Sequence, residues 1–227
     1  IILDEYDKVK NEFEDITRPG HGVVSFGFIH TLGMEVVPEL MADSQKKYPN
    51  MQVTLTQPTS SSLLRKLEEG AIDLCLSQKI KSKQIEIETI ELWQEELFVI
   101  VPMTHPLAKR EDIRLEEIKD EQFISIKSGN SLRQVVDSFF EQIGVEKNST
   151  FAGEEMHTIA GFVGAGLGVS LIPNIKGLDN YNVKKLRVTY PECKRSIGVS
   201  WAKNRYLSPS ATEFTNYLLE YFNGENE

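Results

Sequence analysis

At 227 residues the chain is long enough for one large domain or two small ones, and its 40% hydrophobic and 26% charged content is that of an ordinary soluble globular protein. Thirty-four acidic against twenty-five basic residues leave a net charge of -9, which repels phosphate backbones and argues against direct nucleic-acid binding by this chain. No run of eighteen apolar residues is present, so no transmembrane helix is expected, and the acidic start IILDEYDKVKNEFEDI lacks the basic and apolar regions of a signal peptide.

In chain order, Ile2, Tyr6, Val9, Phe13 and Ile16 recur three or four apart and predict an amphipathic helix that Pro19 and Gly20 end. So short a helix is marginal alone, and the chain begins with Ile; both lead to the expectation of a segment upstream. VVSFGFI (23–29) predicts a strand. A helix is expected over 32–48, with Val36, Val37, Leu40, Met41 and Ser44 on one side and Pro38 in its first turn or at a kink. MQVTLTQ (51–57) reads as a strand, 63–69 as a helix ended by Gly70, and IDLCLS (72–77) as a strand. IEIETI (85–90) alternates apolar and charged residues like a half-exposed strand, whereas LFVIVP (97–102) is a continuous apolar strand of the buried type. A second cycle follows: FISI (123–126) as strand, 131–143 as helix, 156–164 as helix, VSLIP (169–173) as strand. IGVSW (197–201) and a closing helix marked by Phe214, Tyr217, Leu218, Tyr221 and Phe222 complete the chain. Alternating strands and helices predict an α/β protein with mainly parallel sheets.

Little in the sequence points to catalysis. The two cysteines, Cys75 and Cys193, are unclustered, which indicates a reducing compartment rather than a disulfide. The four histidines, His21, His30, His105 and His157, are too scattered for a metal motif, and there is no CxxC pair and no G-x-S-x-G elbow. GFVGAGLGVS (161–170) is rich in glycine, but here the strand follows the glycines, whereas a dinucleotide loop follows its strand. A helix cap and a tight turn are the expectation. No catalytic residue, cofactor or metal is therefore assigned.

The informative feature lies at the ends of the expected strands. His30-Thr31, Gln57-Pro58-Thr59-Ser60-Ser61, Lys127-Ser128-Gly129-Asn130-Ser131 and Glu155-Met156-His157-Thr158 each lead from a strand toward a helix. In open α/β sheets ligands collect at the carboxyl ends of strands, and helix N-termini there offer free amides and partial positive charge to an anion. The competing reading is that each hydroxyl is simply an N-cap.

The ordered segments GVVSFGFIHTLGMEVVPEL (22–40), KKYPNMQVTL (46–55), LLRKLEEGAIDLCLS (63–77), ELFVIVPMTHPLA (96–108), FISI, VGAGLGVSLIP (163–173) and IGVSW resemble the effector-binding domain of LysR-type transcription regulators, over about residues 20–222. The EGAIDL, HPLA and AGLGVSLIP blocks carry most of the specificity. The resemblance implies two Rossmann-like lobes joined by two crossover strands, as in periplasmic binding proteins of type 2. Residues 20–92 with 196–227 would form lobe I and 93–195 lobe II, and 1–19 would end a linker helix from a helix-turn-helix DNA-binding domain outside the chain. It further implies a small-molecule effector held between the lobes. The implied ligand-binding residues are His30, Thr31, Thr59, Ser60, Ser61, Gln78, Ile126, Lys127, Ser128, Gly129 and His157. Gln78 stands where some diacid-binding relatives place arginine, a departure that speaks against a strongly diacidic ligand. His105 of HPLA is expected to be structural. A cytoplasmic homodimer, tetrameric at full length, is implied, with DNA contacted only through the other domain and no membrane partner. Ligand binding would bias an equilibrium between open and closed forms. The alternatives are a solute-binding protein of a transport system and an α/β enzyme, the latter disfavoured by the absence of an acid–base or nucleophile set.

Overall fold

The computed structural model describes residues 21–224, so the helix expected over 2–16 lies outside the described residues. In chain order the elements are β1 (Val23–Phe28), α1 (Val36–Lys47), β2 (Gln52–Thr56), α2 (Ser60–Glu69), β3 (Leu74–Ser77), β4 (Ile87–Pro102), β5 (Asp112–Arg114), β6 (Gln122–Ile126), α3 (Ser131–Gln142), β7 (Asn148–Gly153), α4 (Met156–Gly164), β8 (Ser170–Pro173), β9 (Val183–Tyr190), β10 (Lys194–Ala202) and α5 (Pro209–Gly224). Short 3-10 turns occupy His30–Leu32, Pro106–Lys109, Leu115–Ile118 and Leu178–Asn180. The chain divides into two compact units. The first runs to Trp93 and resumes at Ser196; the second is Gln94–Arg195.

In unit 1 the strand order is β2-β1-β3-β10, with β4 beyond β10. β1 pairs in parallel with β2 and β3, as βαβ crossovers require, while β10 joins β3 antiparallel. Val24, Phe26, Leu40, Leu63, Leu67, Leu74 and Phe214 fill the core. Phe26 meets Phe214 edge to face with ring centroids 5.3 Å apart. Tyr217 fixes α5 on α1, donating its hydroxyl toward the Leu40 carbonyl at 3.0 Å and Asp43 Oδ2 at 2.9 Å.

The EGAID motif has a local cause. Gly70 ends α2 at φ 70°, a left-handed conformation that glycine adopts without strain. A Cβ there would also lie 1.6 Å from Nη1 of Arg205, which donates to the last carbonyls of α2, Leu67 at 3.5 Å and Glu68 at 3.0 Å. Asp73 then clasps β1 from both sides of its own backbone. Its N–H donates to the Ser25 carbonyl at 2.8 Å, and its Oδ2 accepts from the Ser25 N–H at 2.7 Å.

Unit 2 pairs β4 antiparallel with β8 and β9, β9 parallel with β5, and β6 parallel with β7. A bridge from Phe123 to Val169 ties β6 to the approach of β8. Leu97, Val99, Ile124, Val136, Phe140, Ile159, Val163, Leu171 and Leu186 belong to one core. The glycine-rich stretch is the cap and turn expected from the sequence. Gly166 and Leu167 donate back to Val163 and Phe162 at 2.8 and 3.1 Å, closing α4. Gly168 lies at φ 154°, and a Cβ on it would lie 2.2 Å from the Gln122 carbonyl oxygen. In HPLA, His105 Nδ1 accepts the Leu107 N–H at 3.2 Å and Nε2 faces Glu121 at 3.2 Å, a turn-fixing role.

Three expectations are refined. The helix sought over 32–48 begins only at Val36, because His30–Leu32 makes a 3-10 turn first; Pro38 falls within the first turn of α1. The strands expected at 85–90 and 97–102 are one sixteen-residue strand, β4, half-exposed where it alternates and buried toward its end. The sheets are also mixed, with antiparallel pairs contributed by β10, β4, β8 and β9.

Candidate functional site

Unit 1 gathers its polar residues through strand register. Gly27 lies opposite Thr56 and Phe28 opposite Leu76, so the three parallel strands end at one level. The chain there runs through His30 and Thr31 after β1, Gln57 to Ser61 after β2, and Gln78 after β3. Gln57 Nε2 donates to the His30 carbonyl at 3.3 Å, and Ile29 N–H to the Leu76 carbonyl at 3.1 Å, stitching the segments together. His30 and Thr31 sit in the 3-10 turn rather than opening an α-helix. Thr59 takes the N-cap position of α2 in extended backbone but makes no side-chain cap bond; its Oγ1 lies 3.4 Å from Ser61 Oγ. Ser60 and Ser61 are thus residues of the first turn, where backbone amides have no intrahelical acceptor. Gln78 is buried, and its carbonyl accepts from Ser77 Oγ at 2.8 Å.

Unit 2 builds its set around β6 and β7. The Lys127 N–H donates to the Gly153 carbonyl at 2.9 Å, which brings 127–129 beside the approach to α4. Lys127 Nζ lies 3.4 Å from Glu154 Oε2; both are more than half exposed, so the pair contributes little to stability. Asn130 supplies the cap of α3, its Oδ1 accepting from Leu132 N–H at 3.0 Å, so Ser128 is not the cap. Gly129 turns the loop at φ 92°. The Ile126 side chain belongs to the core, and its carbonyl accepts from Arg133 Nη1 at 2.9 Å.

That arginine was not among the residues singled out in the sequence. Arg133 Nε bonds both oxygens of Asp137 at 2.8 and 2.7 Å, and Asp137 also takes Lys147. Burial alone would raise the Asp137 carboxyl, but the bonds from Lys147 and Arg133 outweigh it and hold the group below its ordinary range. Lys147 is pushed down by its own burial, against the pull of Asp137, and its ammonium lies 4.9 Å from the Phe140 ring centroid. The i, i+4 spacing of Arg133 and Asp137 is the one sequence signal of this brace on the 126–130 loop.

His157 is the second residue of α4. Its Nδ1 lies 3.2 Å from the Tyr181 hydroxyl, and Nε2 is buried with no hydrogen-bond partner among the described residues. A polar atom left so costs about 1–3 kcal/mol relative to a satisfied one. Tyr181 had no place in the sequence reading.

Among the described residues no group of three or more His, Cys, Asp or Glu gathers to hold a metal ion. Cys75 and Cys193 are free and buried. Burial pushes each thiol up to about 12, with Glu96 adding to the effect at Cys193.

A mixed α/β chain in two units, each presenting polar residues where parallel strands end, has the architecture of a periplasmic-binding-protein-like ligand-binding domain of type 2. The sequence profile of the LysR substrate binding domain matches residues 17–223. The HTH-type transcriptional regulator YybE of Bacillus subtilis (strain 168) is 48% identical over 221 residues, 97% of this chain and 75% of that protein. The effector binding domain of QuiR, solved in complex with shikimate, is 31% identical with a TM-score of 0.85, covering 90% of this chain and 98% of that one. The regulatory domain of Synechocystis PCC6803 CcmR, solved in complex with 2-PG, shares the fold at a TM-score of 0.80 and 21% identity, covering 88% of this chain and 97% of that one. The chain belongs to the LysR substrate-binding domain family; it is the effector-binding domain of a LysR-type transcription regulator. Its relatives are transcription regulators rather than enzymes. Among the described residues no helix is long and apolar enough to cross a membrane.

Proposed function

We propose that this domain senses a small metabolite carrying one carboxylate and hydroxyl groups. The candidate contacts in unit 1 are Thr31, Thr59, Ser60 and Ser61 with His30 and Gln78 beside them; those in unit 2, taken by itself, are the 126–129 loop and His157. The observation that carries the reading is the start of α2, where hydroxyl side chains and helix amides stand at the level where β1, β2 and β3 end while Thr59 makes no cap bond. A buried, neutral Gln78 after β3 favours a singly charged ligand over a diacid. The shikimate bound by QuiR is a ligand of the same chemistry.

In this reading the regulator is cytoplasmic, dimerises through this domain, assembles as a tetramer at full length and contacts DNA through a separate N-terminal helix-turn-helix domain. Effector binding biases a conformational equilibrium by a coupling of about 1–3 kcal/mol, enough for a several-fold response.

The test is a thermal-shift screen against shikimate, 2-PG and small mono- and dicarboxylates, since a ligand that binds only the folded chain at about 100 times its Kd stabilises it by about 2.7 kcal/mol. Thr31→Ala, Ser60→Ala and Lys127→Ala are then titrated with the best compound. Loss of affinity in the first two supports the unit 1 assignment; unchanged affinity in both means that the site is misplaced.

A further inference from the structure

We infer that His157 carries its proton on Nε2 and uses it as the unit 2 donor to an oxygen of the effector, with Tyr181 as the positioning residue that fixes this tautomer. The inference rests on the ligand-sensing reading above and adds the chemistry of one contact.

The argument starts from α4. His157, Gly161 and Gly164 are spaced i, i+4 and i+7 and share one stripe of the helix. Gly164 lets the segment after the Leu178–Asn180 turn lie close, while Gly161 faces Tyr181 at ordinary contact distance. A Cβ on Gly161 would be 3.7 Å from Tyr181 Cε1, and one on Gly164 would be 3.2 Å from the Asn182 backbone nitrogen. This close approach sets the Tyr181 ring against the imidazole, with centroids 5.9 Å apart and planes at 36°. The hydroxyl and Nδ1 then meet at 3.2 Å.

A neutral imidazole has one N–H and one lone pair. The sp2 nitrogen is far more basic than a phenol oxygen, so in this pair the phenol donates and Nδ1 accepts. The proton of the ring is therefore on Nε2. That atom is buried with no partner among the described residues, so none of them provides an acceptor for the N–H. The matching ligand group is an acceptor oxygen of a carboxylate, hydroxyl or phosphate. An ammonium or an amide N–H of a ligand would meet a donor and be rejected.

The test is run on the whole chain and has two readouts. In ligand-free protein, nitrogen-15 long-range correlation spectra of the imidazoles should show His157 as the Nε2–H tautomer, and Tyr181→Phe should give a mixture of tautomers. A wild-type ring protonated on Nδ1, or a tautomer indifferent to Tyr181→Phe, overturns the inference whatever the protein binds. In calorimetric titration with shikimate as probe, His157→Gln, whose amide nitrogen reaches the Nε2 position, should stay within about threefold of wild type. His157→Leu should lose at least tenfold, both variants first being checked for native circular dichroism. Equal affinity of wild type and His157→Leu overturns the donor role. If wild type fails to bind shikimate while binding another compound of the screen, the same comparison is made with that compound. If wild type binds none, the ligand-sensing reading fails and the donor role falls with it, while the tautomer spectrum still decides the Tyr181 assignment.

Discussion

Two glycines separated by one residue in AGLGVSLIP make opposite demands on the fold, and replacing each by alanine separates them. Gly166 has φ 81° and open space where a Cβ would go, so Gly166→Ala bears only the left-handed backbone penalty, about 1–2 kcal/mol. Gly168 has φ 154° and faces backbone. Its Cβ would lie 2.2 Å from the Gln122 carbonyl oxygen and 3.0 Å from the carbonyl carbon. Relief of that overlap requires the approach to β8 to move off β6, endangering the Val169 N–H bond to Gln122 at 2.9 Å and the Ile124 N–H bond to Val169 at 2.8 Å. Two backbone bonds at about 1 kcal/mol each, with backbone strain of about 1–3 kcal/mol, give a loss of about 3–5 kcal/mol. The assay is urea unfolding followed by far-ultraviolet circular dichroism, because both tryptophans, Trp93 and Trp201, lie in unit 1 and do not report on unit 2. Equal losses for the two variants, or a larger loss for Gly166→Ala, would refute the backbone-contact explanation.

Other perturbations probe separate parts of the account. Cys75 and Cys193, buried with thiols pushed up to about 12, should resist a thiol reagent in the native protein and react only on unfolding; rapid labelling of either at pH 7 contradicts their placement. Asp137 is held below its ordinary range in the fold, so its contribution is present at neutral pH and lost as pH falls through the folded value. Asp137→Asn should therefore melt below wild type at pH 7, with the gap closing under about pH 4; a gap independent of pH counts against the brace. Arg205→Ala removes the bonds to the Leu67 and Glu68 carbonyls at the end of α2 and should lower stability by about 1 kcal/mol, read in the same urea assay.

What the sequence makes legible follows local patterning. The helix expected near 156–164 forms there, and β1, β3, β6 and β8 emerge as short apolar runs between polar punctuation. β7 escapes notice because five of its six residues are exposed and no alternation marks them; its order comes from pairing with β6. The unity of β4 is hidden by Gln94, Glu95 and Glu96, which read as a break but stay in the strand. Glu95 remains ordered there through its ion pair with the buried Arg195, a partner 100 positions away.

The candidate residues divide the same way. Polar strand ends are visible because βα order alone locates them, and register then gathers them. The Tyr181–His157 pair is not visible, since its members lie 24 positions apart and meet only through tertiary packing of α4 against the segment after the Leu178–Asn180 turn. Thr59 was open to reading as an ordinary cap, and only coordinates show that it makes no cap bond.

The central claim is that effector contacts lie on the polar residues beyond the strand ends of each unit. Amide hydrogen exchange, measured with and without the compound giving the largest thermal shift, addresses it directly. The account predicts slowed exchange in residues 29–32, 57–62, 78–79, 126–130 and 155–158, with the edges of α1 and α5 little changed. Protection confined to other segments, or none at saturating ligand, would contradict it.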